Sequence, residues 1–195
     1  VALTPRREVS PVALRSVLDA IRDSGSIEVR YQSMNKSRPG PIWRRITPHA
    51  VGYDGFRWHA RAYCHLDNGF QDFLLPRIID ARLPGPSGAV ATDDVLWQTT
   101  FEVAIGPHPS LTPGQQEIVS KDYGMRDGRL RLTIRYAMLF YVLKRLGLLE
   151  DAKLKDSRHQ HIIVLNWKEA REALKRVGFE ADGPSPGEER NARAR

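Results

Sequence analysis

A chain of 195 residues with 41% hydrophobic content can bury one large core or two modest ones, and two are expected. Thirty Lys plus Arg against 23 Asp plus Glu leave a net charge of +7, which favours anionic partners such as nucleic acid or phosphorylated small molecules over a merely basic surface. Cys64 is the single cysteine, which excludes an intramolecular disulfide and fits a reducing cytoplasm; the most apolar stretch, 136–149, is broken by Lys144 and Arg145, which excludes a membrane span.

The first element reads as a helix. Ser10 is placed to cap it, Pro11 suits the first turn, and Leu14, Val17, Leu18 and Ile21 recur at helical spacing until Gly25 stops it. The period then changes to two, with Ile27, Val29 and Tyr31 on one face of a strand and Glu28, Arg30 and Gln32 on the other. Residues 44–63 read as a hairpin around Asp54-Gly55. A three-residue loop, Tyr53 to Gly55 with Gly55 left-handed, gathers Ile46, Pro48, Ala50, Phe56, Trp58, Ala60 and Ala62 on an apolar face, with Trp58 in the core. It leaves Thr47, His49, Arg57, His59, Arg61 and Tyr63 on the opposite face. A second hairpin turns at Asp67-Asn68-Gly69, and several short strands in succession suggest a small barrel. Pro84-Gly85-Pro86-Ser87-Gly88 discourages any regular element and marks a domain margin.

Beyond the margin, strand and helix alternate: 101–105 extended, a helix opening at Thr112-Pro113 with Gln115 completing a capping box, and 130–134 extended. A helix carrying Leu139, Val142, Leu143 and Leu146 follows, then a strand at 162–165 and a helix capped by Asn166 with Glu169 three residues on. Met138, Phe140 and Tyr141 widen the apolar surface of the helix in 136–149 beyond one stripe, which suggests a dimer face, the alternative being burial against the module's own sheet. The charged Gly/Pro-rich tail 183–195 is expected to be disordered.

The motifs Ile27-Glu28-Val29-Arg30-Tyr31, Arg45-Ile46-Thr47-Pro48-His49, Trp58-His59-Ala60-Arg61-Ala62-Tyr63 and Phe73-Leu74-Leu75-Pro76-Arg77-Ile78 arrive in the order of a WYL domain, which residues 5–180 resemble together with its downstream partner. The name-giving triplet is here Trp58-His59-Ala60, a departure similar to the WYL regulators found beside anti-phage systems of the BREX and CBASS types. Pro107-His108-Pro109, Asp122-Tyr123-Gly124-Met125 and the run from Arg135 to Tyr141 carry the same resemblance. It implies a mixed fold: a small Sm-like or SH3-like β-barrel sensor followed by a smaller α/β domain that helps form a homodimer. The corresponding boundaries are a linking helix at 1–25, the barrel at 26–84, a linker at 85–99 and the α/β domain at 100–182. The resemblance also implies an N-terminal winged helix that grips operator DNA. One helix before the first strand cannot make a helix-turn-helix, so that part is expected upstream of Val1.

A pocket for a phosphate-bearing ligand or single-stranded nucleic acid needs Arg forks, orienting hydroxyls and an aromatic face. Tyr31, Ser33, His49, Arg61 and Arg77 supply these, and the resemblance places them on the strand ends that line the sensor surface; His59 is a sixth candidate. Plainer readings stand beside them: a core tyrosine with its hydroxyl at the rim, a solvated Arg61, a satisfied His49 in a turn. Arg44 and Arg45 face opposite ways on a strand, so at most one can join. No cofactor or metal is expected, and no nucleophile elbow, zinc-protease motif or phosphate-cradling loop points to an enzyme. The expected function is a dimeric, ligand-sensing repressor part, cytoplasmic and nucleoid-associated. The alternatives are a stand-alone Sm-like module binding RNA or single-stranded nucleic acid, and a dimerisation adaptor without ligand.

Overall fold

A computed structural model describes residues 8–151 and 156–179; the tail 183–195 lies outside the described residues. The chain divides into two compact units between Asp94 and Val95.

The first unit opens with α1 (Pro11–Arg22), whose first-turn Ala13 N–H donates to the Ser10 hydroxyl at 3.3 Å. Its buried stripe is Ala13, Val17 and Ala20, with Leu14 and Ile21 at the margins and Leu18 exposed. The two alanines let the helix approach its sheet closely, which rotates the stripe away from Leu18. Ser24, not Gly25, takes the left-handed position that ends the helix, at φ 50°. Gly25 instead allows a close approach: a Cβ there would meet the Gly85 carbonyl oxygen at 3.0 Å.

Five antiparallel strands follow: β1 (Ser26–Tyr31), β2 (Ile42–Tyr53), β3 (Trp58–Cys64), β4 (Gly69–Leu74) and β5 (Ile78–Gly85), with a single 3₁₀ turn at Leu75–Arg77 before β5. Their order is β4-β3-β2-β1-β5, with no pairing between the outer strands β4 and β5, so the expected closed barrel is not formed. Left-handed Leu83, at φ 49°, and Pro84, which lacks an N–H, spoil the free edge of β5 for a further partner. β5 nevertheless runs through Pro84 to Gly85, where no regular element was expected.

The first hairpin departs from its expected register. Pro48 faces Ala62 but Ala50 faces Arg61, so His49 is an extra, bulged residue in β2, and Ala50 moves to the polar face. Beyond the bulge Tyr53 faces Trp58 across a four-residue loop, not the three-residue loop expected. The Asp54 carboxylate holds that loop, accepting from the N–H groups of Phe56 at 2.8 Å and Arg57 at 2.6 Å. Gly55 is left-handed as expected, at φ 85°. Trp58 and Phe56 leave the core: Trp58 is 50% exposed and lies against Tyr53 with ring centroids 4.6 Å apart. The core keeps Ile27, Val29, Tyr31, Ile46, Ala60, Ala62, Phe73 and Ile78 against α1.

The second unit starts with a short helix, α2 (Val95–Gln98), then β6 (Thr100–Pro107), α3 (Pro113–Asp122), β7 (Leu130–Arg135), α4 (Tyr136–Arg145), β8 (Ile162–Val164) and α5 (Trp167–Arg176). β6 lies between β7 and β8, both antiparallel to it. Both halves of the Thr112–Gln115 capping box form. Asn166 precedes α5 but does not cap it; its amide accepts from the Ala104 N–H and donates to the Glu102 carbonyl, both at 2.9 Å, pinning α5 to β6. Ala137, Met138, Leu139, Phe140 and Leu143 of α4 are buried in the unit's own core, so the broad apolar surface read as a dimer face is consumed internally.

Candidate functional site

Strand alternation separates the six predicted residues. Tyr31 stands with Ile27 and Val29 on the core face of β1, whereas His59 and Arg61 alternate with the core residues Ala60 and Ala62 and leave β3 on the opposite face. The structure therefore makes three clusters.

The first surrounds Tyr31. Its ring meets Phe73 edge-on at 5.0 Å, and its hydroxyl accepts from the Leu74 N–H at 3.3 Å and from Arg77. Burial pushes the phenol up, partly opposed by the charge of Arg77. Arg44, opposite Val29 in β2, brings its guanidinium 5.6 Å from the Tyr31 ring centroid. Its side chain is 2% exposed, yet its one ion pair, to Asp67, is long at 3.4 Å, and Nε and Nη2 have no hydrogen-bond partner. Unsatisfied buried donors of a charged group are costly, of the order of 1–3 kcal/mol each or more. Asp67 belongs mainly to others: it takes Arg38 in a bidentate pair at 2.6 and 3.2 Å and Gln71 at 3.0 Å. Burial raises its pKa, but these donors outweigh it and hold the carboxyl down at about 2. The Cys64 thiol is pushed up by burial and by Asp67, and donates to Asp67. Ser33 sits just past β1, where its hydroxyl accepts from the Asn35 N–H at 3.1 Å.

The second cluster lies on the opposite face. Arg61, 3% exposed, forms a bidentate pair with Asp94, Nε to Oδ2 at 2.7 Å and Nη2 to Oδ1 at 2.9 Å, and reaches Asp72 at 3.3 Å. His49 Nε2 lies 2.9 Å from the same Asp94 carboxylate, placed there by the bulge in β2. Burial pushes Asp94 up, but Arg61 and His49 outweigh it and hold the carboxyl well below the usual range. For Arg61 burial opposes the charge, and Asp72 and Asp94 restore it.

The third cluster is structural. His59 Nε2 lies 3.0 Å from Asp54, whose carboxylate also takes Arg57 Nε at 3.1 Å while holding the hairpin loop. Burial lowers the His59 pKa despite Asp72 and Asp54.

Arg38, Asp67 and Asp94 were not singled out from sequence, whereas Arg44 was weighed with Arg45 as a residue that could join the pocket. Arg44 had a signal: of the adjacent pair Arg44-Arg45, strand alternation admits one, and it is Arg44 that turns to Tyr31 while Arg45 reaches the Ser26 hydroxyl at 3.1 Å. The acidic partners had none, since Asp94 stands 33 residues from Arg61.

Comparison with known proteins accounts for both units. Residues 6–83 match the WYL domain, and residues 100–170 match the C-terminal dimerization domain of the BrxR transcriptional regulator. The DNA-binding transcriptional repressor CapW of Stenotrophomonas maltophilia is 40% identical over 179 residues, 90% of this chain and 58% of that protein. CapW of Escherichia coli strain KTE188 is 40% identical over 152 residues, covering 77% of this chain and 50% of the relative; the Pseudomonas aeruginosa protein covers the same shares. The chain thus spans about half the length of the curated relatives it matches. A solved structure, proteasome accessory factor B/C of Arthrobacter aurescens, covers 87% of this chain and 27% of its own at 18% identity and a TM-score of 0.37, and adds nothing to the fold description. The chain consists of a WYL domain followed by a BrxR-type dimerization domain and is homologous to the CapW transcriptional repressors.

Proposed function

We propose that the chain is the ligand-sensing and dimerising part of a transcriptional repressor of an anti-phage defence operon. The protein works in the cytoplasm as a homodimer, on operator DNA held by an upstream winged helix, and its WYL domain binds an anionic ligand, a nucleic-acid fragment or nucleotide. The observation that carries the reading is the buried Arg44 guanidinium, with two unpartnered nitrogens beside Tyr31 and Arg77. A phosphate would satisfy those donors, and a base would find the tyrosine face. Tyr31, Arg77 and Arg44 are the primary contacts, with Ser33 at their margin. His49 and Arg61 form a second fork for anions, and His59 supports the hairpin that carries it. Homology to DNA-binding repressors through both domains favours this over a stand-alone RNA-binding module.

The test is fluorescence anisotropy of a labelled single-stranded oligonucleotide over a salt series. Charge-assisted hydrogen bonds contribute about 1.5–3 kcal/mol, so Arg77→Ala and Arg44→Met are each expected to weaken binding about ten- to hundredfold. Arg44→Met supplies its own control, because replacing a poorly paired buried charge with an apolar side chain is neutral or stabilising, and Asp67 keeps Arg38 and Gln71. Binding unchanged in both variants would place the ligand elsewhere.

A further inference from the structure

The polar face of the sheet is covered by the chain's own connector. After β5, Gly88 lies against the far side of β2 and β3: its N–H donates to the Thr47 hydroxyl at 3.3 Å, and that hydroxyl shares a 2.9 Å hydrogen bond with His65 Nε2. Glycine permits this close approach, since a Cβ would stand 2.1 Å from His65 Cε1 and push the imidazole aside. The connector then exposes Val90, makes one 3₁₀ turn at Ala91–Asp93, and delivers Asp94 to Arg61 and His49. Asp94 is the last residue before the second unit.

Two features distinguish this arrangement from an ordinary surface ion pair. Arg61 presents its planar fork to a carboxylate in the bidentate geometry that a phosphate also satisfies. The carboxylate is supplied by a connector held by few apolar contacts: of 86–94, Asp94 alone is buried. Elements with little buried apolar surface open at low free-energy cost.

We propose that residues 88–94 form a releasable strap in which Asp94 acts as an internal anion, holding the Arg61–His49 fork until a phosphate-bearing ligand takes its place and frees the connection to the dimerization domain. The inference rests on the reading that the ligand is anionic. A ligand that binds Arg61 only when the strap is open shifts the population toward the open state by its differential affinity, and its apparent affinity is reduced by the closed fraction. Removing the competing charge therefore tightens binding.

The experiment pairs anisotropy of a labelled, 5′-phosphorylated single-stranded oligonucleotide with hydrogen exchange of the full chain. Asp94→Asn keeps the shape and removes the charge, and is expected to bind the probe about tenfold more tightly than wild type, as for a strap about one-tenth open. In wild type, the probe is expected to accelerate exchange of the 88–94 amides, a readout that needs no variant. If the probe binds and is lost in Arg77→Ala while the 88–94 amides are unmoved and Asp94→Asn binds no better, the strap is overturned and the anionic-ligand reading stands. If neither wild type nor Asp94→Asn binds, the uncovered fork is not an anion site and both are overturned.

Discussion

Replacing Arg61 with alanine is expected to destabilise the first unit by about 3–5 kcal/mol, the cost of removing one partner from a buried ion pair. Two carboxylates depend on this guanidinium: Asp94, bidentate and 2% exposed, and Asp72, 10% exposed. The desolvation penalty remains when the cation is gone, in full for Asp72 within β4 and for Asp94 as long as its connector stays closed. Since domains are stable by only about 5–15 kcal/mol, the variant would stand near its unfolding threshold. The pH dependence identifies the cause. In wild type the Asp94 pKa is lowered by folding, so its contribution is present above the unfolded value of about 3.9 and is lost as pH falls through the folded value. In the variant the same carboxylates lack their cation and are buried, which raises them, so acidification relieves the variant while it weakens wild type. Urea unfolding at pH 7 and near pH 4 should show the difference between the two proteins shrinking with acid. A difference that stays constant would mean lost packing of the arginine stem, not lost charge pairing.

What the sequence made legible is what local chemistry decides. The Ser10-Pro11 start, the period-two run from Ile27 to Tyr31 and the Thr112–Gln115 box all concern residues within a few positions of one another, and each formed where it was read. The failures are non-local. Closure of a barrel depends on whether β4 and β5 can pair, which no spacing reveals. The His49 bulge has no composition signature, yet one inserted residue moved Ala50 off the core face and aimed the histidine at Asp94. Trp58 and Phe56 were assigned to the core because they are large and apolar; the loop held by Asp54 outvoted that preference.

The candidate site shows the same division. The residue types that bind anions were recognisable one by one, but their grouping was not. Tyr31 and Arg77 meet because β1 pairs with β5 and the 3₁₀ turn lies beside it, while Arg61 is carried to the opposite face by strand parity. Sequence also displays cations more readily than the carboxylates that neutralise them: Asp67 and Asp94 come from a turn and a connector. Once placed, they decide which arginine is satisfied and which retains unpartnered donors.

Truncating Leu143 to alanine is expected to destabilise the second unit by about 2–5 kcal/mol, the range for a leucine deleted from a close-packed interior. Leu143 is fully buried in α4 and shares its core with Val103 and Ile105 of β6, Leu139 of α4, Leu148, and Leu174 of α5. Such a site cannot collapse around the missing methyls without moving several elements at once, which places the cost toward the upper end. Ile118, 65% exposed on α3, is the contrast: its truncation should change stability by no more than about 0.5 kcal/mol. A truncation of Met138 separates core from interface. If α4 met a second chain through its apolar residues, Met138→Ala would weaken association, seen by light scattering across a dilution series, while leaving unfolding at low concentration unchanged. Burial of Met138 in the unit's own core predicts the reverse: a lower unfolding midpoint at every concentration, and association altered only as far as the folded fraction falls.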